Sequence, residues 1–296
     1  MGKDLYMIPK SFEYCAPTNL KEALSLMAKL KEDAKILAGG HSLIPMMKLR
    51  VLSPRIIVDI NKIKELSYIK VKGKNIHVGA LTRHHEIESS DIINKYLPIL
   101  SDAAKVIGDP QVRNMGTIGG SLAHADPAAD YPPITLALNA TIKAKSLRGE
   151  RKIMASKFFL DIFTTTLKPT ELLTEVIFPL PSGKSGGAFA KFERKAGDFA
   201  TVSAAVQIAL DERERVKSVG IGLGAAGPKP IKATKAERLM VKKKVDDNLI
   251  EKVAERAKEE AEPISDLRGS AEYKKEMIAV YVKRALKKAL ERAKAM

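Results

Sequence analysis

Gly116-Thr117-Ile118-Gly119-Gly120-Ser121-Leu122-Ala123-His124-Ala125-Asp126-Pro127-Ala128-Ala129-Asp130 is the stretch on which the reading of this chain turns. It gathers small residues, two adjacent glycines and two carboxylates, a composition that neither helix nor strand favours, so a turn-rich loop is expected. Adjacent glycines permit positive φ and let a ligand approach bare amides closely. Successive N–H groups in such a turn form a concavity suited to phosphate. A second small-residue stretch, Ala38-Gly39-Gly40-His41-Ser42-Leu43-Ile44-Pro45, follows the apolar run Lys35-Ile36-Leu37, which reads as a short buried strand. Two strand-then-glycine turns are expected to supply the two halves of one diphosphate cradle.

Around these loops the chain divides into recognisable units. Thr18 is expected to cap a helix on which Leu20, Ala23, Leu24, Met27 and Leu30 share one face. Pro45 argues against a long helix directly after the first glycine turn. Ile56-Ile57-Val58-Asp59-Ile60 is a β-branched strand, and no G-x-G-x-x-G follows the opening strands, so the opening is not a Rossmann unit. Residues 68–71 and 76–79 flank Lys72-Gly73-Lys74-Asn75 as a hairpin. A short helix is expected over His84, His85 and Ile87. Another starts at Asp91, bends at Pro98 and stops at Gly108-Asp109-Pro110. A second hairpin surrounds Arg148-Gly149-Glu150, and Leu172 to Phe178 form a strand ended by Pro179. Pro181-Ser182-Gly183-Lys184-Ser185-Gly186-Gly187 reads as the linker, giving domains 1–180 and 181–296. Beyond it, strands precede two helices. One carries Leu249, Ile250, Val253, Ala254 and Ala257; the other, capped by Ser270, carries Ile278, Val282, Ala285, Leu286, Ala289 and Leu290. The fold class is α+β.

Bulk properties narrow the function classes. The 296 residues are 45% hydrophobic, enough for a sizeable core. No apolar run is long enough for a membrane span. Residues 1–6 show no signal-peptide h-region, from which a cytoplasmic protein is expected. The formal charge of +16 invites a nucleic-acid reading, but the basic residues are scattered among acids, aromatics are 5% and Trp is absent. Without a stacking platform, a solvated lysine-rich surface is the simpler account, and no nucleic-acid partner is expected. The single cysteine, Cys15, cannot hold an iron–sulfur cluster, which needs about four thiolates. His84-His85 and His124-x-Asp126 lack metal-ligand spacing, so no metal site and no catalytic acid or base is assigned. Asp126 and Asp130 also suit simple turn formation.

The two glycine loops, with His124-Ala125-Asp126-Pro127-Ala128-Ala129-Asp130 and the later pattern Lys191-x-x-Arg194-x-x-x-Asp198-Phe199-Ala200, resemble the FAD-binding medium subunit of molybdenum hydroxylases. Complexes of the carbon monoxide dehydrogenase, xanthine dehydrogenase and archaeal aldehyde oxidoreductase types are its setting. The resemblance spans nearly the whole chain. It implies a two-subdomain PCMH-type FAD-binding domain followed by a smaller α+β C-terminal domain. It implies non-covalent FAD held by Lys35, Ile36, Leu37, Ala38, Gly39, Gly40, His41, Ser42 and Leu43, and by Thr117, Ile118, Gly119, Gly120 and Ser121. Backbone amides would do most of the holding, with the Ser42 and Thr117 hydroxyls in support. Ile107 and Leu173 correspond to apolar contacts and Asp130 to a hydrogen-bonding position. Lys191 corresponds to a positive charge near the flavin. For His41, orientation of the loop, contact with the isoalloxazine edge and covalent attachment all stand as readings.

The same resemblance implies partners: a small subunit with two [2Fe-2S] clusters and a large molybdopterin subunit, assembled as a dimer of heterotrimers. The lone cysteine separates this chain from the 4-hydroxybenzoyl-CoA reductase branch, whose equivalent subunit carries a cluster of its own. Two other readings stand beside this one. A stand-alone flavin-dependent oxidoreductase of the same superfamily would need its own base near the flavin. A basic nucleic-acid-binding protein would bind DNA in a salt-dependent way and show no flavin spectrum.

Overall fold

The computed structural model describes residues 7–296. The expectation of no leader peptide concerns residues 1–6 and lies outside them. The chain opens with β1 (Glu13–Cys15), α1 (Leu20–Leu30), β2 (Ala34–Leu37), α2 (Leu43–Lys48) and β3 (Ile56–Asp59). The strands form a parallel three-stranded sheet in the order β1-β3-β2. α1 buries Ala23, Leu24 and Met27 as its periodicity requires. Its cap is Asn19, not Thr18: the Asn19 side chain accepts from the Glu22 amide at 3.0 Å. The Thr18 amide instead donates to the Glu22 carboxylate. A short helix, α2, does follow the first glycine turn, with Pro45 in its opening turn, where no amide hydrogen is needed.

The next layer runs β4 (Ile69–Lys72), β5 (Asn75–Gly79), α3 (His84–Ser89), α4 (Asp91–Tyr96), α5 (Pro98–Lys105), α6 (Pro110–Met115), α7 (Ile118–His124) and α8 (Tyr131–Ala137). It continues through β6 (Thr141–Ser146), β7 (Gly149–Met154), β8 (Phe159–Asp161), β9 (Thr164–Thr165) and β10 (Leu172–Pro179). Both predicted hairpins form, and β10 inserts between them to give an antiparallel sheet β4-β5-β10-β6-β7. One buried carboxylate interrupts the apolar run of β10 at a register shift. Glu175 accepts from the Tyr68 hydroxyl at 2.6 Å, lies 3.0 Å from His77 Nδ1 and pairs with Lys143 at 2.8 Å. Burial opposes its ionisation, but these three partners outweigh it and hold the carboxyl down at about 2.

Two helices here were not legible as such. Asp109-Pro110, expected to end a helix, starts α6: Asp109 caps it, accepting from Val112 at 2.9 Å, and Pro110 takes the first turn. The stretch expected to be neither helix nor strand contains α7. Thr117 caps it, accepting from Gly120 at 3.0 Å, and Ala125 ends it at φ 54°. Seven residues between a good cap and a left-handed stop tolerate two glycines because the helix packs into the core through Ile118 and Leu122.

The rest comprises β11 (Ser185–Phe192), β12 (Val202–Leu210), β13 (Val216–Gly224), β14 (Ile231–Lys232), α9 (Thr234–Met240), α10 (Asp247–Glu260) and α11 (Ala271–Lys294). The strands form an antiparallel sheet β11-β12-β13-β14. α10 buries its predicted stripe, α11 buries its own except for the half-buried Leu290, and Ser270 caps α11. The predicted linker is shorter than expected. Ser185-Gly186-Gly187 already belongs to β11 and is buried, because the two glycines let Ala289 of α11 and Gln207 of β12 approach closely. The two halves are packed together. All seven residues of α8 are buried, and it sits on Gly220 and Gly222 of β13. Arg292 of α11 reaches Asp102 of α5, with Nη2 2.9 Å from Oδ1.

Candidate flavin cleft

The two glycine loops meet. Loop 1 is residues 38–43 and loop 2 is residues 116–121. A Cβ on Gly39 would lie 2.5 Å from Met115 O and 2.6 Å from Gly116 Cα, so the backbones touch only because residue 39 has no side chain. A polar clip holds the contact. Asn61 Nδ2 donates to Ala38 O at 2.7 Å, and Arg83 Nη2 donates to Asn61 Oδ1 at 2.7 Å. Arg83 Nη1 donates to Met115 O. Residues 80–84, leaving β5, pair with loop 2: Gly119 donates to Ala80 O at 2.9 Å and Ile118 to Thr82 O at 3.1 Å.

Beside this junction lies a cleft of about 380 Å³, within the range that holds a cofactor. It is lined by every predicted site residue except Lys35, Leu37 and Ile118. Strand alternation explains the first two, since Ile36 takes the cleft face of β2 and its neighbours the other. Ile118 is fully buried in the core beneath α7.

The loops present different chemistry. In loop 1 only Gly40 has positive φ, 79°. Among the described residues, the amides of Gly40, His41, Ser42 and Leu43 meet no protein acceptor. In loop 2 the amides are engaged: Gly120 donates to Thr117 Oγ1 and Ser121 to Thr117 O, besides the two bonds to residues 80 and 82. The expectation that backbone amides of both loops are bare therefore holds for loop 1 alone. Loop 2 offers the Thr117 and Ser121 hydroxyls; Thr117 Oγ1 accepts from Gly120 and keeps its own proton to donate.

Charge enters from two distant segments. Lys191 of β11, its side chain 3% exposed, donates to Asp130 Oδ2 at 3.1 Å and to Val106 O at 3.0 Å, and pairs with Glu193 at 3.2 Å. Asp130 is therefore no mere turn former. Burial pushes its carboxyl up to about 7, against the pull of Lys191, and its Oδ1 is buried without a partner among the described residues. Asp126 is the turn former: Oδ1 accepts from the Ala128 amide at 2.8 Å.

Several lining residues carried no signal in the sequence. Ile60, Ala80 and Leu81 come from core strands or their continuations, and Gly108 and Val112 from the α6 entry. His84 is a buried histidine against Tyr131, with ring centroids 5.3 Å apart; burial drives its pKa down to about 3, so it is neutral. Leu167 and Glu171 arrive from the approach to β10. Asp198 and Phe199 also line the cleft, and the pattern with Lys191 was the cue available for them.

The family "FAD binding domain in molybdopterin dehydrogenase" matches residues 10–181, and "CO dehydrogenase flavoprotein C-terminal domain" matches residues 187–289. The chain belongs to the FAD-binding medium-subunit family of the molybdenum hydroxylases. It is 41% identical to the glyceraldehyde dehydrogenase medium chain of Sulfolobus acidocaldarius, covering 95% of this chain and 99% of that one. It is 40% identical to the carbon monoxide dehydrogenase medium chain of Hydrogenophaga pseudoflava, covering 97% and 99%. A solved carbon monoxide dehydrogenase from the same organism, lacking the Mo-pyranopterin moiety of its cofactor, superposes with a TM-score of 0.94 at 41% identity over 96% of this chain and 99% of that one. Members of this family are FAD subunits of multi-subunit dehydrogenases, which accords with this cleft in a chain whose single cysteine can hold no cluster.

Proposed function

We propose that this chain is the electron-transfer subunit of a cytoplasmic molybdenum hydroxylase, built from an FAD-binding unit at 1–180 and a C-terminal unit at 181–296. In this reading a small partner subunit brings electrons through [2Fe-2S] clusters, and a large molybdopterin subunit oxidises the substrate. The whole assembles as a dimer of heterotrimers. FAD, held non-covalently, supplies the exchange of electrons with an external acceptor.

The observation that carries the reading is the contact of Gly39 with Met115 and Gly116, which makes two remote loops one wall. The residues fit the cofactor. The free amides of residues 40–43 form a concavity for the diphosphate, with the Ser42, Thr117 and Ser121 hydroxyls beside it. Ile36, Ile107 and Leu173 give apolar contact. Lys191 brings a fixed positive charge to the wall, and Asp130, poised near neutrality, presents Oδ1 as donor or acceptor. His41 is exposed at the edge of loop 1, where it orients the loop or touches the flavin edge.

The test is a titration of the purified chain with FAD. Stoichiometric binding with a protein-bound flavin spectrum is expected, and no oxidation of aldehydes, CO or purines by the chain alone. Substrate turnover without partner chains would refute the division of labour and favour a stand-alone oxidoreductase.

A further inference from the structure

Part of the cleft wall comes from the connection between β11 and β12, where Gly197, Asp198 and Phe199 line the cavity. Its backbone is held at Asp198, which donates to Lys195 O at 3.1 Å, and at Thr201, which donates to Phe192 O at 2.7 Å; between these, Phe199 is placed by side chains. Phe199 is 50% exposed and cannot be fixed by burial. Asp198 is the hub. Its Oδ1 accepts from the Phe199 amide at 2.8 Å and from Arg268 Nη2 at 3.2 Å, and its Oδ2 accepts from Arg194 Nε at 3.1 Å.

The two arginines are unequal. The Arg194 side chain is 53% exposed, that of Arg268 only 25%. Arg268 also lies 5.8 Å from the Phe199 ring centroid, within cation–π reach. The Arg268 hydrogen bond is the main cause that holds the Asp198 carboxyl down at about 2. Arg268 itself is anchored. Its amide donates to Asp266 Oδ1 at 2.8 Å, and Asp266 and Gly269 exchange two backbone bonds of 3.1 Å. Lys274 of α11, its side chain 4% exposed, pairs with the same Asp266 oxygen at 2.8 Å and donates to Ile264 O at 2.8 Å. A buried lysine on a long helix thus fixes a turn, and the turn aims a guanidinium at the cleft wall.

We infer that Arg268 is a positioning residue for the flavin cleft: from the turn before α11 it holds Asp198 and Phe199 in place as one wall. The inference deepens the proposed function and rests on flavin occupying this cleft. It gives the C-terminal unit a role in cofactor retention that no residue on the glycine loops supplies.

The full-length chain tests it in two measurements on Arg268→Gln, with Arg268→Lys as rescue. In the flavin-free protein, amide exchange at Phe199 should quicken in Arg268→Gln. In the loaded protein, FAD release should quicken about fivefold, the scale of a partly exposed ion pair plus a cation–π contact. Iodide should then quench the flavin fluorescence more readily, and Arg268→Lys should recover part of each effect. A folded Arg268→Gln with unchanged exchange would overturn the inference, and so would faster exchange with unchanged FAD release. If Arg268→Gln does not fold, Asp198→Asn removes the charge that pairs with Arg268, keeps an Oδ1 able to accept from the Phe199 amide and leaves the Arg268 turn intact; exchange at Phe199 should again quicken, and unchanged exchange would overturn the inference. Failure of the unsubstituted chain to bind FAD would sink the proposed function instead, and the flavin-free exchange would still decide the role of Arg268.

Discussion

Loop 1 and loop 2 carry the same Gly-Gly pair and differ in what it leaves free. In loop 1, Gly40 takes φ 79°, and the chain turns so that the amides of residues 40–43 have no acceptor among the described residues. In loop 2, Gly119 and Gly120 open a helix, and their amides are bonded to Ala80 and Thr117. There the missing side chain admits a neighbour: a Cβ on Gly119 would lie 2.6 Å from Ala80 O. The first pair frees hydrogen-bond donors through Gly40 and admits the backbone of loop 2 through Gly39; the second pair leaves no donor free and admits backbone at Gly119. Adjacent glycines thus mark close backbone business without saying whether the partner is a ligand or the protein itself.

Substitution can break this contrast. The largest effects belong to the two positions where a methyl group would meet backbone. Gly119→Ala meets Ala80 and Gly39→Ala meets Met115 and Gly116, so each should lose about 1–3 kcal/mol of stability in urea unfolding. Gly39→Ala should also abolish measurable FAD binding, because it parts the loops. FAD affinity kept intact in Gly39→Ala would mean that the loops do not act as one wall. Smaller differences come next. Gly40→Ala is strained by its positive φ, about 1–2 kcal/mol, and turns the free amides away. Its FAD affinity should fall further than its stability. Gly120→Ala crowds only the Thr117 hydroxyl, should cost about 1 kcal/mol through the helix cap, and should leave FAD affinity closer to that of the unsubstituted chain.

A separate effect is a pH slope from the carboxylate that follows loop 2. Asp130 titrates at about 7 in the folded chain, above its ordinary 3.8. Between those values the folded state binds more protons than the unfolded one, so this group lowers stability as pH rises from about 4 to about 7 and adds no slope above that. Asp130→Asn should remove that component, flattening the stability profile across the window. An unchanged slope would show that the carboxylate is not held in this way.

Much of this molecule was legible because short-range rules decide it. The α1 and α11 stripes, both hairpins and the strand ended by Pro179 follow from periodicity and turn residues. Other features were not legible. The helix in loop 2 depends on Ile118 and Leu122 reaching the core, which outweighs two glycines. The linker lost Ser185, Gly186 and Gly187 to β11 because α11 packs against them from about a hundred residues away in sequence. In the site, the glycines and the Lys191–Asp130 pair were accessible through resemblance. The Asn61–Arg83 clip was not, because each residue looks like an ordinary polar surface residue until residues 38 and 115 are side by side.

The most direct measurement is residue-resolved amide exchange of the full chain with and without saturating FAD. Amides of residues 40–43 should exchange quickly in the free protein and become protected with flavin, whereas those of residues 118–121 should be slow in both. Flavin binding that leaves residues 40–43 as fast as before would contradict the assignment of the diphosphate to the first loop, and with it the cleft.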